Sequence, residues 1–156
     1  MHTEFPLSYL YPIRTIRDVS KSSALLQKYP DNFYMHYHLG VVLMQIEQRD
    51  AANEATSSEA ERAFRVAIKL NPSFSDSYYQ LSKVYLSKSP KLAEENLVAC
   101  LRVDPNHVGA EYTLGRLYMK SGRKAEGQAL IDKFESQQEA EKVKEQSRPR
   151  IRAAQR

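Results

Sequence analysis

Few of the 156 residues have side chains whose type and spacing would support chemistry. His36 and His38 stand two apart, which on a helix turns them about 200° from each other, so they cannot share a metal ion as an i, i+4 pair does. Glu94 with Glu95 and Glu139 with Glu141 are adjacent carboxylates of the kind used in general acid–base work, yet both pairs sit in polar stretches that read as solvated helix faces. Cys100 is the single cysteine, which excludes an internal disulfide and a thiolate zinc cage. The five glycines form no phosphate-cradling loop. The sequence therefore predicts no catalytic residue, no metal ligand and no cofactor; the chain is expected not to be an enzyme.

The formal charge of +4 invites a search for a polyanion partner, and the excess has one location. Residues 147–156, SRPRIRAAQR, hold Arg148, Arg150, Arg152 and Arg156; removing those four from 23 basic residues leaves 19 against 19 acidic ones in positions 1–146. A neutral body argues against recognition of nucleic acid by the fold itself. The tail alone would give a salt slope of about −3.6, losing roughly 150-fold in affinity between about 50 and 200 mM salt. Nucleic-acid or anionic-surface binding through this tail is thus one alternative function, and a regulatory appendage of a larger assembly is another. No apolar run approaches the roughly 18 residues of a membrane span, and the opening MHTEFPLSYLYPIRT lacks the layout of a secretory signal, so a cytoplasmic protein is expected.

The elements that would position these residues are set by an internal repeat. HYHLGVVL, YYQLSKVYL and EYTLGRLYM align on a small residue preceded by Leu. Leu81 to Leu114, Tyr85 to Tyr118 and Pro72 to Pro105 are each 33 apart, whereas Leu39 to Leu81, Gly40 to Ser82 and Pro30 to Pro72 are each 42 apart. One insertion of about eight or nine residues between Leu43 and Ala60, around 46–58 and including the polar stretch AANEATSSE at 51–59, accounts for the difference. It either lengthens both helices of the first hairpin by about a turn or forms a mobile loop, with Asn53, Ser57 and Ser58 as candidate N-caps. In the middle unit Tyr78, Leu81, Tyr85 and then Leu92, Leu97, Leu101 mark two amphipathic helices. Pro90 is placed for the first turn of the second helix, and Asn71-Pro72 and Asp104-Pro105 supply the turns between hairpins.

This pattern resembles the tetratricopeptide repeat, a helix-turn-helix motif of about 34 residues. The matching positions are Leu39, Gly40, Ala60, Phe64, Ala67 and Pro72; then Leu81, Tyr85, Ala93, Leu97, Cys100 and Pro105; then Leu114, Gly115, Tyr118, Gly122, Gly127 and Phe134. Small residues stand where helices cross closely, which also explains Cys100 as a small buried side chain. Where the family often carries Trp, this chain has His36, Tyr78 and Glu111, so looser packing is expected at the third unit. The resemblance implies an all-α fold, a right-handed α-α superhelix of about three full hairpins plus a capping half-repeat. The expected organisation is an irregular segment 1–13, a half-repeat 14–30, repeats 31–72, 73–105 and 106–146, and a disordered basic tail 147–156. Lys124 to Gln146 reads as one helix, about 35 Å long, whose polar end projects as a solubilising cap. The segment before the half-repeat either straps over it or continues a longer array.

The resemblance further implies a concave groove lined by the first helices. Its residues are Tyr34, Tyr37, Val41, Met44 and Gln45; then Asp76, Tyr79, Lys83, Leu86 and Ser87; then Gly109, Tyr112, Arg116, Met119 and Lys120. Tyr37, Tyr79 and Tyr112 form one column, and Val41, Lys83 and Arg116 a second. Tyrosine gives a stiff apolar face with a polar tip, methionine an adaptable contact, and Lys83 and Arg116 can meet carboxylates. The implied function is a non-enzymatic protein-interaction module, an adaptor or assembly scaffold, holding a peptide segment with apolar anchors and acidic residues. The lysine–asparagine clamp that some family members use for a terminal carboxylate is not matched, because Tyr37 and Val41 occupy its first positions.

Overall fold

The computed structural model describes residues 19–49 and 54–147. Among them are seven α-helices and no strand: α1 (Val19–Lys28), α2 (Phe33–Arg49), α3 (Glu54–Leu70), α4 (Ser75–Tyr85), α5 (Pro90–Val103), α6 (Val108–Lys120) and α7 (Lys124–Ser147). The chain divides into two compact units, Met1–Pro105 carrying α1 to α5 and Asn106–Arg156 carrying α6 and α7. The all-α helical-hairpin class is as the repeat implies.

In the first unit each helix packs on the next, α1 on α2, α2 on α3, α3 on α4 and α4 on α5. The turns are built as their residue types dictate. Asn32 caps α2, its Oδ1 accepting from the N–H groups of Tyr34 (2.9 Å) and Met35 (3.2 Å), and Asn71 Oδ1 accepts from Ser73 N–H (3.1 Å) in the following turn. Pro90 is the first residue of α5, where its missing N–H costs nothing. The core is Met35, Leu39, Val42 and Leu43 of α2, Ala60, Ala63, Phe64 and Ala67 of α3, Leu81, Val84 and Tyr85 of α4, and Ala93, Leu97 and Cys100 of α5. Phe64 and Leu97 are wholly enclosed, each contributing about 1.5–3 kcal/mol by burial. Gly40 makes room for Phe64: a Cβ there would lie 2.6 Å from the ring's Cε1.

The described residues of the insertion, 46–49 and 54–58, are helical. α2 and α3 are 17 residues each, against 11 for α4 and 14 for α5, so the added residues extend both helices of the first hairpin. Of the three cap candidates, Ser57 and Ser58 lie inside α3, and Asn53 falls outside the described residues. Ser57 instead is buried and accepts a hydrogen bond from Lys88 Nζ in the turn after α4. The half-repeat is represented by α1; residues 14–18 and the preceding segment fall outside the described residues, as does the arginine tail from 148 onward.

In the second unit α6 and α7 form one hairpin. His107 caps α6, Nδ1 accepting from Ala110 N–H at 3.1 Å. The helix closes on Gly122, whose φ of 89° lets its N–H reach the Met119 carbonyl (3.4 Å) while Arg123 N–H reaches that of Tyr118 (2.9 Å). The helices cross at glycine on both sides: a Cβ on Gly127 would lie 2.7 Å from the Gly115 carbonyl oxygen. α7 runs 24 residues to Ser147, about 36 Å, one residue beyond the expected end, and residues 138–147 are exposed throughout.

Two of the three positions that often carry Trp in the family play one role. His36 Nε2 bonds the Pro30 carbonyl at 2.7 Å, and Tyr78 donates to the Pro72 carbonyl at 3.1 Å. Each ties a first helix to the proline turn six residues earlier. Glu111 does otherwise: it is fully buried, and its Oε1 is ion-paired with Lys133 Nζ of α7. The charge is enclosed because a partner from the same hairpin comes with it.

Candidate peptide-binding faces on the first helices

On α2, the Tyr34 and Tyr37 side chains follow an N-capped turn and point toward Phe74, the residue ahead of α4. Tyr37 meets the Phe74 ring edge-on at 5.0 Å and Phe64 at 6.1 Å; Tyr34 lies 5.7 Å from Tyr37 and 6.2 Å from Phe74. Phe33 joins at 5.3 Å from Phe74. These rings knit α2 to the start of α4. Burial first, and then the nearby Asp76 charge, pushes the Tyr37 hydroxyl up to about 12, while a hydrogen bond with the Gln80 side chain opposes both. Tyr37 is therefore largely a packing residue. Val41 and Met44 are half-buried and Gln45 is exposed.

On α4, Asp76, Tyr79 and Lys83 are half-buried, and Leu86 and Ser87 are exposed in the turn that follows. Lys83 Nζ stands over the Tyr79 ring at 5.7 Å. The second unit shows the same device on α6: the Arg116 guanidinium lies over the Tyr112 ring at 5.8 Å, and Tyr112 itself packs on the Phe134 ring of α7, tilted by 38° with centroids 4.8 Å apart. Tyr112, Arg116, Met119 and Lys120 are all exposed, and Gly109 is half-buried. A cation four residues after a tyrosine is thus held on the ring in both units, by an attraction of about 0.5–1 kcal/mol at exposed sites.

Two polar groupings escaped the sequence reading. Tyr85 donates to Glu61 Oε1 (2.6 Å) and accepts from Arg65 Nη2 (2.7 Å), while Arg65 Nε bonds the same carboxylate at 2.9 Å. The Tyr85 hydroxyl, aided by Arg65 and Lys88, holds the Glu61 carboxyl below its usual range despite an opposing burial effect. Glu61 and Arg65 sit at i, i+4 on α3, a spacing visible in the sequence; their long-range partner Tyr85 is not. The Glu111–Lys133 pair likewise joins residues 22 apart.

The chain matches no established family model. A peroxisomal targeting signal receptor from Eremothecium gossypii is 32% identical over 97 residues, covering 59% of this chain and 16% of that protein. Its namesake from Saccharomyces cerevisiae is 30% identical over 99 residues, covering 63% and 15%. Among solved structures, a crystal structure of MamA superposes with a TM-score of 0.68 at 21% identity, over 80% of this chain and 69% of that one. MamA from Desulfovibrio magneticus RS-1 gives 0.66 at 18%, over 86% and 71%. The chain shares the all-α helical-repeat fold of these solved structures. It spans about one sixth of the length of the curated relatives it matches.

Within that repeat framework the small-residue positions are filled as packing requires. Ala60, Ala67, Ala93 and Cys100 show no exposed surface, and Gly40, Gly115 and Gly127 are buried where a side chain would collide with a neighbour. Among the described residues no cluster of His, Cys, Asp and Glu has metal-binding geometry, and no helix is long and apolar enough to cross a membrane. Arg148, Arg150, Arg152 and Arg156 lie outside the described residues.

Proposed function

We propose that this repeat protein is a non-enzymatic protein–protein interaction module, an adaptor or assembly scaffold, which holds a segment of a partner protein against its first helices. The observation that carries the reading is the tyrosine–cation pair repeated on α4 (Tyr79 with Lys83) and α6 (Tyr112 with Arg116). Ring packing elsewhere uses its aromatic faces up, as Tyr37 does; these two keep ring and charge at the surface or half-exposed. Such pairs offer an apolar anchor point and a carboxylate partner within one helical turn. The matched relatives, by name receptors for a targeting signal, support recognition of a segment of another protein.

The test is recovery of partners from a native lysate with three forms: the full chain, a form ending at Gln146, and a Tyr79→Ala/Lys83→Ala/Arg116→Ala variant of unchanged helicity. A protein retained by the shortened form and lost by the triple variant supports the reading. Loss on shortening alone, or recovery of nucleic acid, would place the function in the arginine tail.

A further inference from the structure

Resting on the interaction reading, we propose that the exposed face of α6 is a specific acceptor for an acidic segment in which one apolar and two acidic side chains alternate along an extended chain. In this unit Glu111 pairs with Lys133, Glu126 with Arg123, Glu139 with Lys142 and Glu141 with Lys144. Arg116 and Lys120 have no carboxylate or hydrogen-bond partner among the described residues, and the sole acid of α6 is Glu111, which is enclosed. The exposed face therefore carries two uncompensated cations and no anion of its own.

Geometry narrows the ligand. Phe134, Tyr112 and Arg116 lie in series, with 4.8 Å between the centroids of the tilted rings and 5.8 Å from the Tyr112 centroid to the guanidinium carbon. The Arg116 guanidinium carries its N–H donors in a planar fork suited to a bidentate carboxylate. Tyr112 is 38% exposed and Met119 37%, seven residues apart on the same helix and both available for apolar contact. Tyr112, Arg116 and Lys120 follow one another at intervals of four residues, about 6 Å along the helix. Alternate side chains of an extended strand recur every 6.6 Å or so, which matches. A segment running apolar, any, acidic, any, acidic would set its apolar side chain on Tyr112 and its carboxylates on Arg116 and Lys120.

The experiment selects random displayed peptides against the full chain, then measures the affinity of a labelled winner by fluorescence anisotropy. Expected is enrichment of the alternating apolar–acidic–acidic pattern in either direction. Affinity should fall about tenfold in Arg116→Gln, clearly also in Arg116→Lys, which keeps charge but loses the planar fork, and about threefold in Lys120→Gln. Lys124→Gln, a cation off this face, should change nothing. Selected peptides without acid enrichment, or indifferent to Arg116→Gln, overturn this inference and leave the interaction reading standing. Absence of any selectable peptide overturns both.

Discussion

Cys100 and Tyr37 show how far single residues can be read before their neighbours are known. Cys100 is wholly buried; burial first, then the charges of Asp76 and Asp104, pushes its thiol from an ordinary 9.0 up to about 12. Its smallness at a helix crossing was legible from the repeat register, and its inertness follows. A thiol-specific reagent at about pH 8 should label the native chain at least a hundredfold more slowly than the urea-unfolded chain, since the thiolate is the reacting species. Tyr37 is raised similarly, from 10.0 to about 12. For both groups the folded chain favours the neutral form, so their contribution to stability is whole below about pH 9 and is lost as pH climbs toward about 12. Tm measured across that range should drop less steeply in Tyr37→Phe/Cys100→Ala than in the parent. That Tyr37 is held by Phe74 was not legible: Phe74 lies in a turn, outside any helical period, and only the fold brings it beneath α2.

Helices, considered as elements, were legible where a small residue fixes a crossing and illegible where a long-range polar contact decides. Gly40, Gly115 and Gly127 were placed at crossings by register alone, and they differ in what an added methyl would strike. Gly40→Ala meets the outer atoms of the Phe64 side chain; Gly127→Ala meets the Gly115 carbonyl at 2.7 Å and the Met119 nitrogen at 2.9 Å, backbone that moves only if the hairpin opens. Overpacking costs about 1–3 kcal/mol, partly offset by about 1 kcal/mol of helix propensity gained. Urea midpoints should accordingly fall modestly for Gly40→Ala and markedly more for Gly127→Ala. The reverse order would mean that the α6–α7 crossing is not close. The described part of the insertion, ambiguous in sequence between loop and helix, is helical, and its serine at 57 is tied to the lysine at 88 across 31 residues. Lys88→Ala leaves Ser57 without that donor and should lower the midpoint by about 0.5–1.5 kcal/mol equivalent.

For the molecule as a whole, the repeat count and the neutral body were plain in the sequence, while the use of each tyrosine was not, because identical residues at equivalent positions pack in one place and carry a cation in another. The charge distribution has a kinetic consequence. Positions 1–146 balance 19 bases against 19 acids, so the net charge that draws an acidic segment from a distance is that of the four tail arginines, whereas the contacts that hold it are local. Steering acts on association and is screened beyond a Debye length of about 10 Å at 0.1 M salt, while dissociation follows the docked contacts. Stopped-flow binding of a selected acidic peptide should therefore show that ending the chain at Gln146 slows association several-fold at low ionic strength and leaves dissociation unchanged. At about 0.3 M salt, with charges screened over about 6 Å, the two forms should associate at nearly the same rate. If shortening instead speeds dissociation at every salt concentration, the tail touches the docked ligand, and the division between a steering tail and a gripping helical face does not hold.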